Sequence, residues 1–347
     1  MIRVAIVGSG GIAGACHIPA LRGESSRARI VAAVDVDEDR AKAFAAEHDI
    51  PAAYTSLTDM LDKERPDLVH ICTPPFTHTA QVVECLEAGA WVWCEKPLCL
   101  SLAEFDAIAA AEGAAGPYSS VVFQHRFGSG AHHLRSLMAE GVLGRPLVAL
   151  CETSWYRPPA YYEVPWRGTW ASEGGGPTMG HGIHQMDMML SILGEWEEIR
   201  AMAGRLDRDV ETEDVSMAMV RFSSGAMASV VNSVLSPREQ SYLRFDFAQA
   251  TVELRHLYGY ANADWSSTSQ AWNPPQDVPS SHAAQLGELL DAFERGERPP
   301  VSGVEARRTM ELVTGLYASA LTGAPVLRAE LTPGSPFYHR LNGGLSL

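Results

Sequence analysis

The segment Gly8-Ser9-Gly10-Gly11-Ile12-Ala13 constrains this chain more than any other. It stands between the apolar run 3–7 and a helical pattern that begins at Ile12. The first glycine permits a tight turn, the second lets a pyrophosphate approach the backbone, and the small Ala13 allows close helix–strand packing. The helix N-terminus that follows favours negative charge. Asp35 ends the next apolar run 22 residues beyond Ala13, close to the spacing at which an acidic residue accepts hydrogen bonds from an adenosine ribose. Together these features imply a strand–turn–helix unit that binds a dinucleotide through Gly8, Ser9, Gly10, Gly11, Ile12 and Asp35, with Arg40 nearby. A carboxylate in that place repels a 2′-phosphate, so the expected cofactor is NAD rather than NADP.

The first third of the chain repeats the strand–helix alternation. Residues 3–7, 30–35, 52–55, 68–73, 90–94 and 120–123 read as six short strands rich in Val and Ile, the texture of buried parallel strands. Helical spacing occupies 12–21, 38–47, 56–63, 79–88 and 102–112, with Pro19 expected to bend or end the first helix early. Ser56 and Ser101 stand at N-cap positions, and Gly89 and Gly113 stop helices. Parallel strands need crossover helices, so the expectation is α/β: an N-terminal Rossmann domain, doubly wound around a parallel sheet, over residues 1–123. Residues 124–347 read differently. A helix at 131–140 precedes a long strand at 146–156, and 215–222 with 226–234 alternate around Ser223-Ser224-Gly225 as a hairpin. Strand patterns at 242–247 and 251–257 follow. The second domain is therefore expected to be α+β, with a large, open, mainly antiparallel sheet. Helices at 183–193, 284–295 and 304–321 are expected to cover one face.

Length and charge narrow the function. At 347 residues, two domains are expected. The net charge is −15 and basic residues do not cluster, so nucleic acid is an unsuitable partner. No apolar run approaches the ~18 residues that span a bilayer. Cys16, Cys72, Cys85, Cys94, Cys99 and Cys151 form no C-x-x-C pair and sit mostly in apolar segments. They read as small buried hydrophobes in a reducing compartment, with neither disulfides nor a metal site expected. Residues 3–15 faintly imitate a signal peptide, but glycines interrupt the apolar run at once, and the chain is expected to be cytoplasmic.

Two further motifs leave strand ends where a bound dinucleotide would lie. Cys72-Thr73-Pro74-Pro75-x-x-His78 follows the fourth strand, and Glu95-Lys96-Pro97 follows the fifth. Charged residues at the end of a buried strand must face a crevice or be paired. Taken alone, the first motif is better explained as a rigid turn capped by Thr77 or His78, and a structural ion pair competes for the second. Downstream, Trp155-Tyr156-Arg157 runs on to Trp166-Arg167. Aromatic faces stack on sugars and guanidinium forks bind hydroxyls, so Tyr156, Arg157, Trp166 and Arg167 read as a substrate loop; an oligomer interface is the alternative.

These residues resemble the glucose–fructose oxidoreductase, inositol dehydrogenase and rhizopine-catabolism (Gfo/Idh/MocA) family over nearly the whole chain. The resemblance rests on the Gly8–Ala13 turn, Thr73-Pro74-Pro75-x-x-His78, Glu95-Lys96-Pro97, Arg126-Phe127, Gly141-x-x-Gly144 and Gly174-Gly175-Gly176 through His184 and Asp187. Pro300-x-x-Gly303 and Ser319-x-x-x-Gly323 resemble the family's closing helix. It implies that Lys96 and His184 meet at a reacting hydroxyl. It also implies cofactor contacts at Thr73, Pro74, Pro75, His78, Glu95, Lys96 and Arg126, and substrate contacts at Lys96, Arg126, His181 and His184. The implied activity is NAD-dependent oxidation of a sugar, cyclitol or glycoside hydroxyl. Glycoside cleavage by transient oxidation and a non-catalytic NAD-binding regulator are the competing readings. A homodimer or homotetramer through the second-domain sheet is the expected assembly. The family often carries Asp four residues before the histidine, where this chain has Gly180, so the usual three-residue relay is in question.

Overall fold

Six strands build the first sheet: β1 (Ile2–Val7), β2 (Ala28–Val34), β3 (Ala53–Tyr54), β4 (Leu68–Ile71), β5 (Trp91–Cys94) and β6 (Ser119–Val121). The computed structural model describes all 347 residues, Met1–Leu347. All neighbours are parallel, in the order β3-β2-β1-β4-β5-β6. Residues of both faces are buried along β1, β4 and β5, as crossover helices on both sides require. The order reverses between β1 and β4, and at this switch point the loops after Val7 and Ile71 flank a crevice suited to a dinucleotide. Caps agree with the sequence: Ser56 accepts from the Asp59 amide and Asp37 from that of Arg40.

The first helix departs from expectation. Residues Ala13–His17 form a π-turn that runs directly into the helix Ile18–Gly23, so Pro19 neither bends nor ends it. Pro19 sits in the first α-turn, where the fixed φ of proline is compatible with helix.

The chain divides into two compact units, the first comprising Met1–Cys99, Glu104–Val122 and His282–Ala306. The return of His282–Ala306 corrects another expectation. The helix His282–Arg295 belongs to this unit and packs on Ile18–Gly23, not on the second sheet. Leu286, Leu289 and Leu290 lie on one helical stripe and join Ile2, Val4, Ile6, Leu68, Trp93 and Val122 in one core. Gln285 Nε2 donates to the Val121 carbonyl at 2.7 Å, and the Val121 amide donates to the Val301 carbonyl at 3.1 Å. The returning segment thereby pairs the otherwise open edge at β6.

The second unit comprises Leu100–Ala103, Phe123–Ser281 and Arg307–Leu347. Its sheet is formed by β7 (Pro146–Tyr156), β8 (Trp196–Gly204), β9 (Val215–Phe222), β10 (Met227–Ser233), β11 (Leu235–Phe247), β12 (Thr251–Arg255), β13 (Trp265–Ser267) and β14 (Val326–Leu327). The order is β13-β12-β11-β7-β10-β9-β8-β14, antiparallel except for the parallel pair β7–β10. The helix Ile183–Leu193 packs against β7 and is almost wholly buried. The opposite residues of β7–β10 leave Val148, Met202, Met217, Met219 and Met227 exposed.

Candidate functional site

In the first unit the glycine turn has the form a phosphate cradle needs. Gly8 adopts φ +94°, and a Cβ there would lie 2.8 Å from the Cys72 carbonyl carbon. Only glycine fits. At Gly10 and Gly11 an added Cβ would meet nothing within 4 Å, so the backbone is open to a ligand. Asp35 is buried, and its carboxylate accepts from the Ser9 and Asp37 amides, each at 3.0 Å, with Arg40 Nη1 at 3.4 Å. The Ser9 hydroxyl is buried without a partner. An open glycine backbone, an orphan hydroxyl and a fixed carboxylate together fit a dinucleotide.

The loops after β4 and β5 are tied together. The His78 ring stands between the Thr73 and Pro97 carbonyls, at 2.8 and 2.7 Å. Thr73 Oγ1 donates to Gln81 Oε1 at 2.6 Å and accepts from Thr77 Oγ1 at 2.8 Å, while Pro74 and Pro75 lead into the turn Pro75–Thr77. His78 is thus a brace between the Thr73 and Lys96 loops. Glu95 looks into the unit: Oε1 faces His17 Nε2 at 3.1 Å and His282 Nε2 at 2.9 Å, while Oε2 accepts from the Lys96 amide at 3.2 Å. Burial would raise this carboxyl, but the two imidazoles outweigh it and hold it well below the usual range.

In the second unit, Arg126 grips Asp187 through one hydrogen bond, Nη2 to Oδ1 at 3.0 Å, and an ion-pair contact, Nε–Oδ2 at 2.9 Å, and Thr309 Oγ1 donates to the same carboxylate at 3.0 Å. Both charges are buried, so Arg126 anchors the turn Gln124–Phe127 to the helix Ile183–Leu193. His184 is buried on that helix, with the His125 ring centred 4.7 Å away at 32° and Phe123 edge-on at 5.9 Å. Tyr260 Oη lies 3.4 Å from His125 Nδ1 and accepts from Gln185 Nε2 at 2.8 Å; Gln124 Nε2 donates to Tyr258 Oη. His125, Tyr258 and Tyr260 carried no signal of this role in the sequence beyond their residue types.

His181 Nε2 accepts from Arg157 Nε at 3.1 Å, with Trp155 and Tyr161 around the ring. Arg157 also packs over Trp155 and Tyr161. Arg167 lies over Tyr161 and Trp166 and pairs with Glu173 at 3.1 Å. Tyr156 is 40% exposed and stacks under Arg208. The structure therefore brings Arg157 to His181 and Arg167 to Trp166, and leaves Tyr156 outward.

Glycines make room for this wall. A Cβ at Gly175 would collide with Tyr317 Oη, one at Gly176 with the Glu213 carbonyl, and one at Gly182 with the Asn232 side chain. The Glu213 carboxylate accepts from the Gly176 amide at 2.9 Å, the Thr178 amide at 3.1 Å and Tyr317 Oη at 2.9 Å. Burial pushes its pKa up against these bonds. At Gly180 a Cβ would meet nothing within 4 Å.

Two family models match the chain. An oxidoreductase family with an NAD-binding Rossmann fold matches residues 2–123, and the Gfo/Idh/MocA C-terminal domain matches 131–253. The D-apiose dehydrogenase of Paraburkholderia graminis is 26% identical over 94% of this chain and 90% of its own length. The myo-inositol 2-dehydrogenase of Thermotoga maritima is 30% identical over 67% of this chain and 68% of its own. Among solved structures, the WlbA dehydrogenase of Chromobacterium violaceum, in complex with NADH and UDP-GlcNAcA, superposes with a TM-score of 0.83. It is 27% identical, covering 94% of this chain and 95% of that one.

Proposed function

The chain belongs to the Gfo/Idh/MocA oxidoreductase family, and from that membership we propose an NAD-dependent dehydrogenase that oxidises a ring hydroxyl of a sugar, cyclitol or glycoside. One observation carries the reading: His184 is a buried imidazole beside His125, in a unit whose Tyr, Trp and Arg side chains suit a polyhydroxylated ring. A bound nicotinamide supplies the hydride acceptor. The residues Gly8–Ile12 and Asp35 hold the dinucleotide, and the loop carrying Thr73, Pro74 and Pro75 flanks it. Lys96 and His184 are the proposed proton-handling groups, and the cation of Lys96 would favour developing negative charge on oxygen. His181 and Arg157 act as one hydrogen-bonded contact for a second hydroxyl, since the guanidinium fixes the imidazole as an acceptor at Nε2.

Asp35 supports NAD over NADP, because two amides hold its carboxylate at the motif position that would face the ribose, where it would repel a 2′-phosphate. The exposed side chains of Val148, Met202, Met217, Met219 and Met227 support a homodimer or homotetramer through the second sheet. No helix is long and apolar enough to cross a membrane. Six free thiols, five of them buried, support a reducing cytoplasm. A panel of sugars, inositols and glycosides scanned for reduced-cofactor absorbance tests the reading. Turnover with NAD is expected on at least one polyol, at a kcat/KM well above that with NADP. Comparable values for both cofactors would sink the role of Asp35, and silence across the panel would sink the dehydrogenase.

A further inference from the structure

The first unit encloses a set of donors that the dehydrogenase reaction does not use. His17 Nε2, Glu95 Oε1 and His282 Nε2 lie within 4.8 Å of one another, and all three residues are buried. They come from three separate segments: the π-turn Ala13–His17, the residue after β5 and the start of the helix His282–Arg295. π-turns of this kind recur at functional sites because they swing one side chain out of helical register. The two nitrogens stand 3.1 and 2.9 Å from the shared carboxylate oxygen. A zinc ion with ligand bonds of about 2.0–2.2 Å separates tetrahedral ligands by roughly 3.2–3.6 Å, so a small opening of these contacts admits the ion.

We propose that His17, Glu95 and His282 form a structural site for a divalent cation of the zinc class. Two imidazoles and one carboxylate are borderline donors, which suit Zn²⁺ and not Mg²⁺ or Ca²⁺. The outer groups agree. A metal-bound histidine gives its second N–H to an acceptor, and His17 Nδ1 faces His70 Nδ1 at 3.1 Å. His70 is fully buried against Trp93, where a neutral ring offers a lone pair at that nitrogen. With three protein ligands the ion keeps a fourth position for water, and because it would hold three distant segments together its effect is on stability. Cysteine spacing carried no hint of it because only folding brings the three ligands together.

The test uses the untagged full chain, stripped with a chelator and then titrated with Zn²⁺, with Co²⁺ as a spectroscopic probe and Mg²⁺ as a control. Saturable uptake of one Zn²⁺ per chain is expected, with a higher Tm and the visible bands of tetrahedral Co²⁺. Mg²⁺ should do neither. His282→Gln should abolish uptake, and His70→Phe should weaken it by roughly 10–100-fold, the usual scale for a group that orients a ligand. The wild-type titration needs no variant to fold. Absence of saturable Zn²⁺ binding, or binding that survives in a folded His282→Gln chain, would overturn the site and leave a hydrogen-bonded carboxylate between two imidazoles.

Discussion

In the proposed reaction Lys96 and His184 are the candidates for handling the hydroxyl proton, a task that needs tunable pKa and contact with oxygen. Lys96→Met keeps the apolar length and removes charge and donors. Dinucleotide binding, read by thermal shift, should survive while kcat falls by about two orders of magnitude or more. Near-normal kcat would make Lys96 a structural residue. His184→Asn should lower kcat at every pH, since an amide cannot take the proton. His181→Asn should act mainly on KM, because it removes the acceptor of Arg157. Equal damage from both, with a double mutant little worse than either, would mean that His181 has taken the role of the acid absent at Gly180. Asp35, fixed beside the glycine turn by the Ser9 amide, was legible because it stands at a set distance from a strand end that the sequence displays. His125 was not, since its contact with Tyr260 joins residues 135 positions apart, a proximity only packing creates.

Single elements are pinned by buried polar groups, and these are where substitutions should be felt. Arg126→Met leaves the Asp187 carboxylate buried without its guanidinium, at a cost of about 3–5 kcal/mol. Replacing both, as Arg126→Met with Asp187→Leu, should recover most of that loss in a urea titration; equal instability of single and double variants would contradict the pairing argument. Glu213 gives a second measurement. Its pKa is raised in the fold, so the folded chain keeps a proton that the unfolded chain has shed. Stability should fall as pH climbs from about 4.5 toward the raised value, and level off beyond it. Glu213→Gln should remove that slope when urea midpoints are compared across pH. The hairpin β9–β10 was legible from alternation and the turn at Gly225, which takes φ +84°. β8 was not, because Glu197 and Glu198 stand side by side between the buried Trp196 and Ile199 at an irregularity in the pairing, and break the period-two alternation. The π-turn was equally hidden, since its residues have ordinary helical character.

At the scale of the molecule, the two sheet types were legible because buried parallel strands and half-exposed antiparallel strands have different periodicities. The return of His282–Ala306 to the first unit was not, because an apolar helical stripe says that a helix must be covered but not by which sheet. A fragment of residues 1–123 should therefore bind hydrophobic dye and unfold with little cooperativity, while the same fragment joined to 282–306 should melt sharply. A sharply melting short fragment would show that Leu286, Leu289 and Leu290 are dispensable. The same return bears on how the protein is made. About 160 residues separate Val122 from His282, and at about 5–20 residues per second the ribosome needs roughly 10–30 s to deliver them. During that interval the nascent dinucleotide-binding half waits with its last core wall untranslated and the apolar surface that Leu286, Leu289 and Leu290 will cover still open.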